Sequence, residues 1–159
     1  MNPTGDSFDD WFGQEYRRVL SSVIIVCAGD VTRAEDATNE AFLDALQRWE
    51  RVSIMESPRS WVTTVAINKA KRSWLRRRRY VELVNEHDAV DHVGNDNAEI
   101  WDAVRRLSVK QRTAIVLRYL DDLSQAQIAD ALGVAPGTVS ATLTQARKKL
   151  RVELEGETI

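Results

Sequence analysis

Apolar residues recur along this chain at helical spacing, and the recurrence breaks at chemically legible points. Phe8, Phe12, Tyr16, Val19 and Val23 form a stripe that opens after Ser7 and closes at Gly29. Ala37, Ala41, Phe42, Ala45, Leu46 and Trp49 form a second. Thr32 with Glu35 precedes it, the spacing at which a hydroxyl and a carboxylate satisfy two free backbone N–H groups at a helix start. Ser57-Pro58 places a cap residue before a proline at the first helical position. The helix starting there, with Trp61, Val62, Val65 and Ala66 on its apolar side, is predicted to run to about Arg79. Asp96 with Glu99, Ser108 with Gln111 and Ser124 with Gln127 repeat the capping pattern. The predicted architecture is all-α: three or four helices, a connecting segment, then four more.

Composition sharpens this picture. Seven glycines and three prolines in 159 residues are about half the usual share, too few to turn many short strands. An apolar fraction of 43% argues against a wholly disordered chain. The longest apolar stretch, Val19 to Ala28, includes two serines and is too short to span a bilayer, so no membrane insertion is expected. MNPTGDSFDD carries no basic leader region. The single cysteine, Cys27, excludes an internal disulfide framework and a Cys-based zinc site. These features read as a cytoplasmic protein.

The net charge of −2 hides a segregation. Residues 1–80 hold 13 basic and 11 acidic groups, and residues 99–159 hold 9 and 8. Residues 81–98, VELVNEHDAVDHVGNDNA, hold five acids and no Lys or Arg. With no steady apolar period, this segment reads as an acidic flexible linker. Extended, it reaches roughly 60 Å. Three parts follow: a helical domain over 1–80, the linker over 81–98 and a second helical domain over 99–159.

SQAQIADALGVAPGTVSATL, from Ser124 to Leu143, is the most informative stretch. Ile128, Ala129 and Leu132 share a helical face, and Gly133 sits where the helix must stop with positive φ. Val134 follows as an apolar plug, and Pro136 opens a helix that buries Val139 and Leu143. That is the logic of a helix-turn-helix, whose second helix enters the major groove, or of an ordinary corner between two helices. The second helix presents Thr138, Ser140, Ala141, Thr142 and Gln145 first; cations come only later, at Arg147, Lys148, Lys149 and Arg151. Neutral groups can read base edges but do not neutralise phosphates, so weak duplex binding with a shallow salt dependence is expected.

In the first half, Glu35, Asp36, Glu40 and Asp44 crowd the exposed faces of one helix. They suit a solvated face, a docking face for a basic partner or, less readily without a nearby histidine, a metal site. The next helix ends in Lys69, Lys71, Arg72, Arg76, Arg77, Arg78 and Arg79, with Trp74 among them and Tyr80 after. Such a run can track a phosphate backbone while aromatics stack on unpaired bases, or it can be a solvated helix end.

Taken together, these residues resemble the extracytoplasmic-function (ECF) sigma factors of bacterial RNA polymerase. AEDATNEAFLDAL is similar to that family's AED-x-x-Q-x-x-F helix, SWVTTVAIN with its Arg-rich continuation to the WL-x-x-I-A-x-N helix, and residues Leu107 to Leu150 to the C-terminal helix-turn-helix domain. The resemblance implies a non-enzymatic, cofactor-free factor that binds core polymerase and promoter DNA. It implies that Glu35, Asp36, Asn39 and Glu40, with Phe42 beneath them, meet the clamp helices of the largest subunit. It implies that the loop from Trp49 to Pro58 and Trp61, Asn68, Lys69, Arg72, Arg76 and Arg77 hold the opened minus-ten element. Thr138, Ser140, Thr142, Gln145, Arg147 and Lys148 would face the minus-thirty-five element. An anti-sigma factor is the further partner it implies. Melting needs no catalytic residue, because capturing a flipped base offsets an unstacking cost of a few kcal/mol. The chain departs from the family pattern at Asn39, where Gln is usual, at Arg72, where Asp is usual, and at SATLTQ, where several basic residues are usual. A stand-alone helix-turn-helix regulator that binds duplex DNA without polymerase is the alternative.

Overall fold

The computed structural model describes residues 7–81 and 98–156, with side chains placed through Ser73 in the first stretch. Among the described residues there are eight helices and no strand, as the apolar spacing predicts. They divide into two compact units, with the division between Ala89 and Val90. The acidic segment 82–97, including the predicted Asp96 cap, lies outside the described residues.

The first unit contains α1 (Phe8–Val26), α2 (Val31–Gln47), α3 (Trp49–Val52) and α4 (Pro58–Val81). Ser7 caps α1 by accepting from the Asp10 N–H at 3.3 Å. The helix ends in a turn where Ala28 (φ 54°) and Gly29 (φ 91°) take left-handed backbone. The cap of α2 is not Thr32 but Asp30, which accepts from the Arg33 N–H at 3.1 Å. The left-handed turn delivers Asp30 two residues earlier than the capping-box spacing implies. Trp49 likewise leaves the second helix: the chain breaks at Arg48 (φ −118°, ψ 24°) and begins the single turn of α3, anchored by fully buried Val52. Ser57 caps α4 as expected, accepting from the Ser60 N–H at 3.3 Å.

The core of this unit is lined by small residues. Ala34, Ala37, Ala41 and Ala45 run down α2, and Val62, Ala66, Ile67 and Ala70 run down α4, all buried. Such positions let helices approach closely. The buried stripe of α4 is rotated from the predicted one. Trp61 and Val65 are half-buried, while Thr63 is fully buried. The Thr63 hydroxyl donates to the Arg59 carbonyl at 2.9 Å, so a nominally polar residue can face the core without an unmet hydrogen bond.

The second unit contains α5 (Ala98–Arg105), α6 (Val109–Tyr119), α7 (Gln125–Leu132) and α8 (Pro136–Gly156). Both predicted capping boxes form. The Gln111 N–H donates to Ser108 Oγ at 3.2 Å while the Ser108 N–H donates to Gln111 Oε1 at 3.1 Å. Ser124 and Gln127 repeat this at 3.1 and 2.9 Å. Gly133 adopts φ 66°, and the Val134 N–H reaches back to the Ala129 carbonyl at 3.0 Å, closing α7. Val134 itself is exposed rather than the expected plug. Leu117, Ile128 and Leu143 are fully buried at the centre. Arg112 is buried beside them, and its Nη1 donates to the carbonyls of Arg105 (2.9 Å) and Leu107 (2.7 Å), satisfying acceptors left open where α5 ends.

Candidate partner and nucleic-acid interfaces

The outward face of α2 carries Glu35, Asp36, Asn39 and Glu40, all exposed. Leu43 (57% exposed) and Leu46 (49%) continue the same side, so Leu46 does not join the core as its spacing predicts. Phe42 points inward and is 2% exposed. It supports the acidic face from beneath rather than forming part of it. Its ring lies 5.3 Å from Trp11, 5.0 Å from Phe12 and 5.6 Å from Tyr16, centroid to centroid. Trp49 stacks 4.9 Å from Trp11 and meets Phe8 edge-on at 5.4 Å. These six rings fix the start of α1 against α2 and α3, each well-placed pair adding about 1 kcal/mol beyond area burial. The periodicity of α1 and α2 places most of them, but not Trp11, which lies off the predicted α1 stripe.

Two polar contacts tie this face to its neighbours. The Tyr16 hydroxyl donates to Asn39 Oδ1 at 2.7 Å. Burial, and secondarily the nearby Glu35 carboxylate, push the Tyr16 pKa above its ordinary value. Lys69 of α4 lies with its ammonium 3.1 Å from Asp44 and 3.7 Å from Glu40. The lysine expected at DNA is therefore paired with two of the acids expected on the docking helix. Among the described residues no group of three or more His, Cys, Asp or Glu side chains is placed to hold a metal ion.

On α4, Asn68 is half-buried and Arg72 exposed. Arg76 and Arg77 lie within the helix, but their side chains are outside the described residues. In the preceding loop Ile54 is 73% exposed. No periodicity marks it, because it follows the break at α3.

On α8, Thr138, Ala141, Gln145 and Lys148 are exposed, joined by Thr144, which the sequence pattern did not single out. Ser140 and Thr142 are half-buried, and the Thr142 hydroxyl donates to the Thr138 carbonyl at 2.8 Å. Arg147 is half-buried; its Nε donates to the Tyr119 hydroxyl at 2.7 Å and its guanidinium lies 5.7 Å from that ring centroid. Lys149 donates to the Arg106 carbonyl at 2.8 Å. Of the late cations, Lys148 and Arg151 are exposed on α8, while Arg147 and Lys149 bond to other parts of the unit. Beside them α5, α6 and α8 leave an open apolar groove of about 410 Å³, lined by Ile100, Trp101, Val104 and Leu150 among others.

Comparison with known proteins accounts for both units. Residues 12–80 match the family model of Sigma-70 region 2, and residues 97–150 match that of Sigma-70 region 4. ECF RNA polymerase sigma factor SigL of Mycobacterium tuberculosis is 34% identical over 151 residues, covering 89% of this chain and 85% of that protein. RNA polymerase sigma-E factor of Streptomyces avermitilis is 30% identical over 152 residues, covering 89% and 84%. The sigma factor RpoE from Bartonella quintana, solved in complex with the anti-sigma factor NepR, shares the fold with a TM-score of 0.79 at 21% identity, covering 93% of this chain and 96% of that one. The chain therefore belongs to the sigma-70 family as an ECF-type sigma factor, a subunit that directs RNA polymerase to promoters.

Proposed function

We propose that the two units divide the work of promoter recognition by residue as follows. The α2 face, with Glu35, Asp36, Asn39 and Glu40 outward and Phe42 beneath, docks on the clamp helices of the polymerase's largest subunit. The observation that carries this reading is the composition of that face: acids for a basic partner, with Leu43 and Leu46 as the apolar contacts that a stable interface core needs. The loop from Trp49 to Pro58 and the α4 residues Trp61, Asn68, Lys69, Arg72, Arg76 and Arg77 hold the opened minus-ten element. Ile54 adds an exposed apolar wedge of the kind that lodges between unstacked bases. Thr138, Thr144, Gln145 and Lys148 face the minus-thirty-five element, with Ser140, Thr142 and Arg147 at the margin of that surface.

No catalytic residue or cofactor enters this reading, and the relatives are sigma factors rather than enzymes. Among the described residues no helix is long and apolar enough to cross a membrane; we place the protein in the cytoplasm with its polymerase. An anti-sigma factor is a fitting regulatory partner, since the fold neighbour was solved bound to one. The stand-alone regulator is the weaker reading, because it leaves the match to Sigma-70 region 2 without a role.

The test is reconstitution. The purified chain should co-purify with bacterial core polymerase and support run-off transcription from a cognate promoter. Asp36→Arg should abolish co-purification, and wild-type binding by that variant would remove α2 from the interface. Arg76→Glu with Arg77→Glu should leave co-purification intact and suppress permanganate reactivity of thymines in the melted region.

A further inference from the structure

Asn39 sits on the exposed face of α2, where an amide on a flexible side chain would ordinarily sample several rotamers and two opposite orientations. Here it does not stand alone. The Tyr16 ring packs against both Phe12 (5.1 Å) and Phe42 (5.6 Å), which also touch each other at 5.0 Å, so its hydroxyl occupies a place set by this three-ring cluster. That hydroxyl donates to Asn39 Oδ1 at 2.7 Å. A hydroxyl that donates to the amide oxygen leaves the amide nitrogen, with its two N–H donors, turned the other way. A phenol carries its proton at neutral pH, so the hydroxyl is available to donate.

We propose that Tyr16 is a positioning residue for polymerase docking: its hydroxyl holds the Asn39 amide so that the nitrogen is presented to a hydrogen-bond acceptor on the polymerase surface. This rests on the reading of α2 as the docking helix and adds to it a residue that lies on α1 and carries no charge. A bond held before binding does not have to be ordered during binding, which is how a pre-set side chain raises affinity.

The experiment is a double-mutant cycle in the full-length protein, read as the Kd for core polymerase, with Asp36→Arg as the control for the face itself. Tyr16→Phe removes one oxygen and keeps the ring against its neighbours. It should weaken binding about three- to tenfold, the range that one hydrogen bond commands. Asn39→Ala should weaken binding at least as much. On the Asn39→Ala background, Tyr16→Phe should change the Kd by less than about twofold, because the amide it positions is gone. A Tyr16→Phe protein that binds like wild type overturns the proposal. So does an equal loss from Tyr16→Phe with and without Asn39, which would place the hydroxyl's effect in the fold alone. If Asp36→Arg abolishes binding in either case, the docking face stands and only the positioning role falls. If Asp36→Arg binds normally, the face and this proposal fall together.

Discussion

Backbone conformation at two small residues makes opposite predictions. Ala28 and Gly133 both sit in left-handed backbone, at φ 54° and 66°. A Cβ there costs a non-glycine residue roughly 1–2 kcal/mol. Space is not the issue at Gly133, since an added Cβ meets nothing within 4 Å. Gly133→Ala should therefore lower the unfolding free energy by about 1 kcal/mol, while Ala28→Gly should leave it unchanged or raise it by up to about 1 kcal/mol once the extra freedom of the unfolded chain is set against the relieved strain. Urea denaturation of the two variants measures both signs. Tyr16 makes a prediction about pH. Its pKa in the fold is raised above the ordinary 10.0, by burial first and by Glu35 second. The folded state therefore keeps the phenol proton longer than the unfolded state does. Its contribution is fully present below pH 10.0 and declines as pH rises toward the higher folded value. The stability difference between wild type and Tyr16→Phe should be flat from pH 7 to 9 and shrink above pH 10, as thermal melts across that range would record.

At the scale of elements, helix beginnings were legible because capping is local chemistry. Ser7, Ser57, Ser108 and Ser124 all cap where their spacing says. Thr32 failed because the Ala28–Gly29 turn moved the start of α2 back to Asp30, and turn geometry leaves a weaker mark than a capping pair. The rotation of α4 has a related cause. Periodicity assigns burial by residue type, but Thr63 satisfies its own hydroxyl within the helix and so can stand in for an apolar residue. Close approach of α2 to its neighbours depends on its alanine row, and Ala41 is fully buried within it. Ala41→Leu should overpack this contact and destabilise the protein by about 1–3 kcal/mol. Because the docking face proposed above lies on α2, that proposal expects the same variant to weaken co-purification with polymerase even though its side chain points into the core.

At the scale of the whole molecule, each unit has its own buried core, and the cations are used differently in each. In the second unit Arg112, Arg147 and Lys149 hold helices together, and Lys148 and Arg151 are the exposed cations that the DNA face proposed for α8 offers to phosphates. With about two phosphates neutralised, binding of the protein alone to a duplex minus-thirty-five fragment should follow a log–log salt slope near −2. Fluorescence anisotropy at several salt concentrations gives that slope directly. A slope several times steeper would mean that further cations reach the duplex, either those assigned to the fold or the basic run that ends α4. Tight duplex binding by the chain alone would instead favour the stand-alone regulator.

Helical class, the helix-turn-helix and the sigma-factor resemblance could be read from one dimension, because each rests on residues close in sequence: caps, a left-handed glycine, apolar spacing and short motifs. The fate of individual charges could not. Lys69, Arg112, Arg147 and Lys149 look alike in a string of letters, yet one spans two acids on another helix, two reach helix-end carbonyls and one lies against a tyrosine. The Tyr16–Asn39 bond likewise joins residues 23 positions apart. A long side chain acquires its role from whatever tertiary packing brings within its reach, and that is set by the packing of whole helices rather than by the residues on either side.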